Sequence, residues 1–191
     1  IHPIDGNDVD TLLRNADAAM YQVKAGGRNG FSFYTEALNQ RAQRHVTLRT
    51  ALRRALERGE FELHYQPIVA CDDGVRHGAE ALIRWRDEAG RLVPPGDFLD
   101  VAEESGLIVQ IGAWVLRRAC AQAREWVDAG WQVPVSVNVS AQQFRDEALV
   151  ELVRAALRGS GLPSSMLTLE VTESTVMSDM DRTVAVLAKI D

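Results

Sequence analysis

The 191-residue sequence predicts an α/β fold: about the first half of a (β/α)8, TIM-like barrel, preceded by a helix–strand remnant of another α/β domain. Three observations point there. From Phe61 onward the order reads strand, strand, helix, helix, strand, helix, strand, helix, and such alternation implies a parallel sheet with right-handed crossovers. Three short apolar strands, at 79–85, 133–140 and 166–174, carry polar side chains on one face only. An open doubly wound sheet is covered on both faces and favours strands that are apolar throughout. A barrel with helices outside and a ligand-binding mouth at the C-terminal ends of its strands fits a polar inner face better.

The elements follow in chain order. Asp8 is placed to cap a helix in which Val9, Leu12, Leu13, Ala16, Met20 and Val23 recur at helical spacing. Gly26 and Gly27 end it. Asn29-Gly30 is a turn signal, and Phe31 to Tyr34 reads as a strand. One amphipathic helix and one strand cannot bury a core alone, so residues 1–34 read as the tail of a domain whose other elements precede Ile1. Thr35 starts a second helix reaching about Arg58, and Gly59 stops it.

The strand Phe61 to Val69 alternates Phe61, Leu63 and Tyr65 against Glu62, His64 and Gln66. Pro95 suits the first turn of a helix to about Glu104. A longer helix from about Leu107 to Ala129 carries Trp114, Leu116, Ala119 and Trp126 and ends at Gly130. Ser140 followed by Gln143 is a capping-box signature for the next helix, and a last one begins near Ser178. The tryptophans at 114, 126 and 131 read as packing residues, while Trp85 faces the helices. A complete barrel takes about 250 residues, and about 130 follow Gly59. Half a barrel leaves two open strand edges, so this segment alone is expected to aggregate or to need a partner.

Apolar residues make up 46% and charged ones 25%, the balance of an ordinary globular protein. No apolar run approaches the roughly 20 residues that span a bilayer. This segment is therefore expected to touch no membrane and to lie in the cytoplasm, any inner-membrane tether falling outside it. Cys71 and Cys120 lack metal-ligand spacing and read as reduced thiols. A net charge of −6 argues against a nucleic-acid duplex partner. Between Glu36 and Arg58, six arginines (41, 44, 49, 53, 54 and 58) against two glutamates give +4 and leave −10 for the rest. That stretch is either a solvated helix or a domain-linking element.

Strand parity gathers the chemistry. Side chains alternate between faces, so Val135, Val137 and Val139 share a side while Ser136, Asn138 and Ser140 share the other. Likewise Leu167, Leu169 and Val171 oppose Thr168, Glu170 and Thr172, and Glu80, Leu82 and Arg84 point one way. Alone, Glu80 would face solvent and Asn138 could be a core amide, but an unpaired buried carboxylate at Glu170 is costly. Turned toward one centre, Glu80, Asn138 and Glu170 make an oxygen-rich site of the kind a metal-dependent hydrolase uses. Arg84 is either a substrate contact or an ion-pair partner for Glu80, four residues away. His64 reads as a hydrogen-bonded lining residue rather than a ligand, and His2, His45 and His77 carry no signal.

Four motifs then fall in register: YQPIV (Tyr65 to Val69), EALIRW (Glu80 to Trp85), NVS (Asn138 to Ser140) and EVTES (Glu170 to Ser174). In order and spacing they resemble the EAL domain, a family that hydrolyses the bacterial second messenger cyclic di-GMP. Pro94 to Ile108 (PPGDFLDVAEESGLI) is similar to the family's stretch after EAL. Ala16 to Tyr34 (ADAAMYQVKAGGRNGFSFY) resembles the C-terminal end of the GGDEF domain, whose signature loop is absent; Lys24 and Arg28 match its phosphate-contacting basic residues. The implied domains are 1–34, a GGDEF remnant; 35–58, a linker or first helix; and 59–191, a truncated EAL domain.

The resemblance implies that Glu80, Asn138 and Glu170 ligate Mg²⁺ or Mn²⁺, that Gln66 and Arg84 contact cyclic di-GMP, and that Glu173 steadies a loop beside the metal. Oxygen-only ligands suit these hard cations better than zinc, and the implied product is linear pGpG. The family's second metal and base depend on an aspartate pair in DDFG, a lysine and a glutamate expected past Asp191, so the 191 residues alone are expected to be inactive. The rival expectation is a degenerate EAL domain that binds the dinucleotide without cleaving it. Pairing through the barrel into a homodimer is a further implication.

Overall fold

The computed structural model describes residues 1–25, 30–71, 74, 76–146, 148–173 and 175. The helix expected from near Ser178 lies outside these, as do Gly26, Gly27 and Asn29. The chain divides into two compact units, Ile1–Arg53 and Arg54–Asp191.

In the first unit, α1 (Val9–Ala25) starts where the sequence places it. The Asp8 carboxylate accepts from the Thr11 backbone amide and hydroxyl, both at 2.8 Å, and these bonds hold its pKa below the ordinary value. The second helix, α2 (Glu36–Arg58), begins after Thr35, whose hydroxyl accepts from the Leu38 amide at 3.4 Å. The strand expected over 31–34 does not form: these residues are irregular, and Phe31 and Phe33 meet edge to face with centroids 5.6 Å apart while both stay exposed. Strand geometry needs a hydrogen-bonded neighbour, and the described residues of this unit offer only helices.

The second unit is built on one mixed sheet. Its strands are β1 (Phe61–Val69), β2 (Arg76–Arg86), β3 (Leu92–Val93), β4 (Val135–Asn138) and β5 (Leu167–Glu170), in the order β1-β2-β4-β5 with the short β3 paired to β2. The parallel expectation holds for β2, β4 and β5 and fails for β1, which runs antiparallel to β2. The reason is length: only residues 70–75 join β1 to β2, enough for a hairpin but not for the dozen or more residues a parallel crossover needs.

Between β2 and β4 the chain runs through a 3₁₀ turn (Pro95–Asp97), α3 (Leu99–Glu104) and α4 (Leu107–Asp128); α5 (Ala141–Phe144) and α6 (Leu149–Ser160) join β4 to β5. Pro95 thus opens a 3₁₀ turn, and the α-helix begins at Leu99. The capping box at Ser140 forms with both halves present, yet the helix it starts is a single turn. Helix α4 packs on the outward face of the sheet and against α6. Val135, Val137, Ile111, Leu116, Leu149 and Phe98 are almost fully buried there.

Phe61 anchors an aromatic cluster, with centroids 6.5 Å from Trp85, 5.9 Å from Phe98 and 6.0 Å from Trp114. Trp85 is buried on the helix side and donates its indole N–H to Glu60 at 3.1 Å. Trp131 corrects its expectation. It lies past the end of α4, beyond the strands and helices that make the core, and is 63% exposed.

Tyr65, on the same outward face, meets Trp126 edge to face at 4.8 Å. Its buried hydroxyl has no hydrogen-bond partner among the described residues, and burial pushes its pKa up to about 12 from 10.0. A phenol whose pKa is higher folded than unfolded contributes stability that is complete below pH 10 and is lost as pH rises toward about 12. Tyr65→Phe is therefore expected to flatten that alkaline loss, and to leave stability at neutral pH unchanged or higher because an unpartnered buried hydroxyl is removed. Denaturation midpoints of the two proteins at neutral and alkaline pH check this.

Candidate metal and substrate site

The hairpin and the parallel register decide which side chains share the inner face. Gln66 lies opposite Glu80, His64 opposite Leu82 and Glu62 opposite Arg84 across β1 and β2. Glu80 aligns with Ser136 across β2 and β4, while Asn138 aligns with Glu170 across β4 and β5. Glu80, Asn138 and Glu170 therefore sit on one face of three adjacent strands, near the C-terminal ends of β4 and β5. Glu80 lies two residues, roughly 7 Å, deeper than the other two, and Arg84 about as far toward the mouth.

Asn138 closes the gap to Glu80, donating its side-chain N–H to Oε1 at 2.6 Å. That bond leaves the amide oxygen of Asn138 as its donor atom for a cation. The backbone joins the other pair, since the Val139 amide donates to the Glu170 carbonyl at 2.8 Å. Glu80 and Glu170 are half-buried, and Asn138 is exposed. Among the described residues no three His, Cys, Asp or Glu side chains are grouped as a metal site. The set consists instead of two carboxylates and an amide oxygen, a hard donor set that suits a hard divalent cation.

Arg84 does not pair with Glu80; its guanidinium folds back and donates to the Ile83 carbonyl at 2.8 Å. Gln66 is exposed, level with Glu80. His64 is hydrogen-bonded to Glu62 at 3.0 Å, in keeping with a lining role. Arg86 holds the same Glu62 carboxylate with two bonds of 2.8 and 3.2 Å, and this contact, ahead of that from His64, keeps the Glu62 pKa below its ordinary value. Glu173 is exposed and lies past the end of β5, not within a strand. Arg28 and the side chain of Lys24 lie outside the described residues. Both cysteines are free thiols, and burial pushes Cys120 up to about 11.

A cavity of about 530 Å³ opens beside Asn138 and Glu170, between the strand ends and helices α3 and α4. Glu103, Ser140 and Gln143 line it, among mostly apolar neighbours; Glu80, Gln66 and Arg84 do not. Sequence reasoning missed Glu103 as a lining residue and missed what holds Gln143. A glycine at position 112, inside an otherwise apolar helix pattern, was the available signal.

No described helix is long and apolar enough to cross a membrane. Residues 49–191 match the EAL domain family. Over the whole chain there is 47% identity to the bifunctional diguanylate cyclase/cyclic di-GMP phosphodiesterase MucR of Pseudomonas aeruginosa, of which the chain spans 28%. It is 41% identical to the cyclic di-GMP phosphodiesterase NbdA of the same organism, covering all of this chain and 24% of that protein. The chain thus spans about a quarter of the length of these relatives. Among solved structures, a PaMucR phosphodiesterase in complex with c-di-GMP superposes with a TM-score of 0.72 at 48% identity, over 75% of this chain and 59% of that one. The Xanthomonas citri FimX EAL domain in complex with c-diGMP gives 0.68 at 29% identity, over 82% and 59%. With three-quarters of its length inside the family match and a mixed α/β sheet like that of the solved EAL structures, this chain belongs to the EAL domain family.

Proposed function

We propose that this chain supplies the metal-holding strands of a phosphodiesterase that opens cyclic di-GMP to linear pGpG. The observation that carries the reading is the shared face of Glu80, Asn138 and Glu170, tied by the 2.6 Å bond from Asn138 to Glu80. The relatives named for cyclic di-GMP hydrolysis support the substrate.

In this reading Glu80, Asn138 and Glu170 hold Mg²⁺ or Mn²⁺. The chemistry such a cation supplies when bound is Lewis-acid polarisation of a phosphodiester and activation of water. Asn138 orients the Glu80 carboxylate through its amide N–H. Arg84, nearer the mouth, offers a planar fork to a phosphate, and Gln66 contacts the dinucleotide at the level of Glu80. Glu173 steadies the loop after β5. A water oxygen bonds to phosphorus, the P–O bond to one ribose breaks, and that ribose oxygen leaves with a proton. The family resemblance adds an aspartate pair, a lysine and a glutamate to this machinery, and in this reading turnover depends on them as well.

Domain assignment follows the same reading. Residues 1–34 are a GGDEF-domain remnant, 35–58 a linking helix and 59–191 the first part of an EAL domain, in a cytoplasmic protein that pairs through that domain.

Incubated with cyclic di-GMP and Mn²⁺, the full chain as its gene encodes it is expected to release pGpG, and Glu80→Ala to abolish release; chromatography of the products decides. Normal turnover by Glu80→Ala would refute the ligand assignment, and binding of the dinucleotide without turnover by the unaltered protein would favour a receptor. Asn138→Ala is expected to lower stability by only about 1 kcal/mol, since its bond to Glu80 is exposed, while removing nearly all activity. Comparing denaturation midpoints with rates separates the two effects.

A further inference from the structure

We propose that Gln143, seated on Gly112, is a positioning residue for Asn138 and, through it, for a divalent cation held with Glu80 and Glu170. The inference rests on the metal reading above and adds a support that none of the four motifs contains.

Asn138 is the last residue of β4, and the chain must turn at once into α5. Two backbone bonds fix that turn. The Val139 amide donates to the Glu170 carbonyl at 2.8 Å, and the Ser140 amide donates to the Gln143 side-chain oxygen at 3.1 Å. The Gln143 amide returns to the Ser140 hydroxyl at 3.3 Å. A one-turn helix cannot stand on its own hydrogen bonds, so α5, only four residues long, depends on what pins its cap.

That pin is Gln143, a polar side chain only 5% exposed. Its carboxamide occupies the space that a side chain at position 112 would need. A Cβ on Gly112 would fall 1.7 Å from the Gln143 amide nitrogen and 2.6 Å from its carbonyl carbon. Glycine within a helix is destabilising relative to alanine, so Gly112 inside α4 answers to close approach rather than to helix formation. Helix α4 is itself fixed by buried Ile111 and Leu116. The support therefore runs from a rigid helix, through a buried amide, to the backbone two residues after a ligand. Groups that orient ligands in this way commonly change metal affinity about 10- to 100-fold when removed.

The test titrates Mn²⁺ into the full chain as its gene encodes it, reading free Mn²⁺ by electron paramagnetic resonance, with thermal unfolding measured alongside. Gln143→Ala is expected to weaken Mn²⁺ binding about 10-fold with cooperative unfolding retained. Gly112→Ala, which keeps the amide but takes its seat, is expected to weaken it similarly. The double variant should be no weaker than either single one, because both remove one shared contact. Asn138→Ala supplies the reference. If Asn138→Ala weakens Mn²⁺ binding but Gln143→Ala stays within about twofold of the unaltered protein, even while melting lower, the positioning role is overturned and the metal reading stands. If Asn138→Ala binds Mn²⁺ normally, both fall. Additive losses in the double variant would also overturn the role, by making the two residues independent. Should Gly112→Ala fail to fold, Gln143→Ala alone decides.

Discussion

The hydrogen bond between Asn138 and Glu80 joins residues 58 apart in sequence, and it exists because two strands run parallel in one particular register. A shift of one residue in that pairing would turn every side chain of β4 to the opposite face. Asn138 would then point among the helices, and Val137, almost fully buried, would point into the polar interior. The register is held by that penalty. Burial of Val135, Val137 and Val139 against the helices fixes the strand, and the polar face falls into line as a consequence.

The same division of labour extends across the sheet. One face is apolar and faces α4, with the Phe61, Trp85, Phe98 and Trp114 cluster at one end. The other carries Glu62, Gln66, Glu80, Arg84, Asn138 and Glu170, the polar set of a site. Its charges are arranged in depth. Arg86 and His64 hold Glu62, and Glu80 is held by an amide that brings no charge of its own. Neither Glu80 nor Glu170 is in an ion pair with another of the described residues, which leaves both carboxylates open to a cation.

Much of this was legible before any coordinates. Strand β1 begins and ends where alternation places it, and parity alone put Glu80, Asn138 and Glu170 on one face. Residues 31–34 misled because β-type side chains say nothing about whether a neighbour is present. The direction of β1 departs from the parallel expectation because two strands follow one another there, across a junction too short for a crossover. Trp131 departs from its expectation because aromatic character alone does not bury a side chain, and a position beyond the helix end leaves it exposed. The contact between Gln143 and Gly112 is legible only by half: a glycine inside an apolar helix pattern marks a close approach, but no periodic pattern says that a residue of the short α5 makes it.

The hairpin has an entropic consequence. Residues 70–75 close β1 onto β2, whereas the forty-eight residues between Arg86 and Val135 separate β2 from β4. Loop-closure entropy grows as the logarithm of length, so joining β4 costs about 2 kcal/mol more than closing the hairpin. Glu80 thus belongs to the cheaply formed part of the sheet, and Asn138 and Glu170 to the part that distant chain must reach. Any change that loosens α3 or α4 acts on that longer connection first, and so separates Asn138 and Glu170 from Glu80 while the hairpin is still intact.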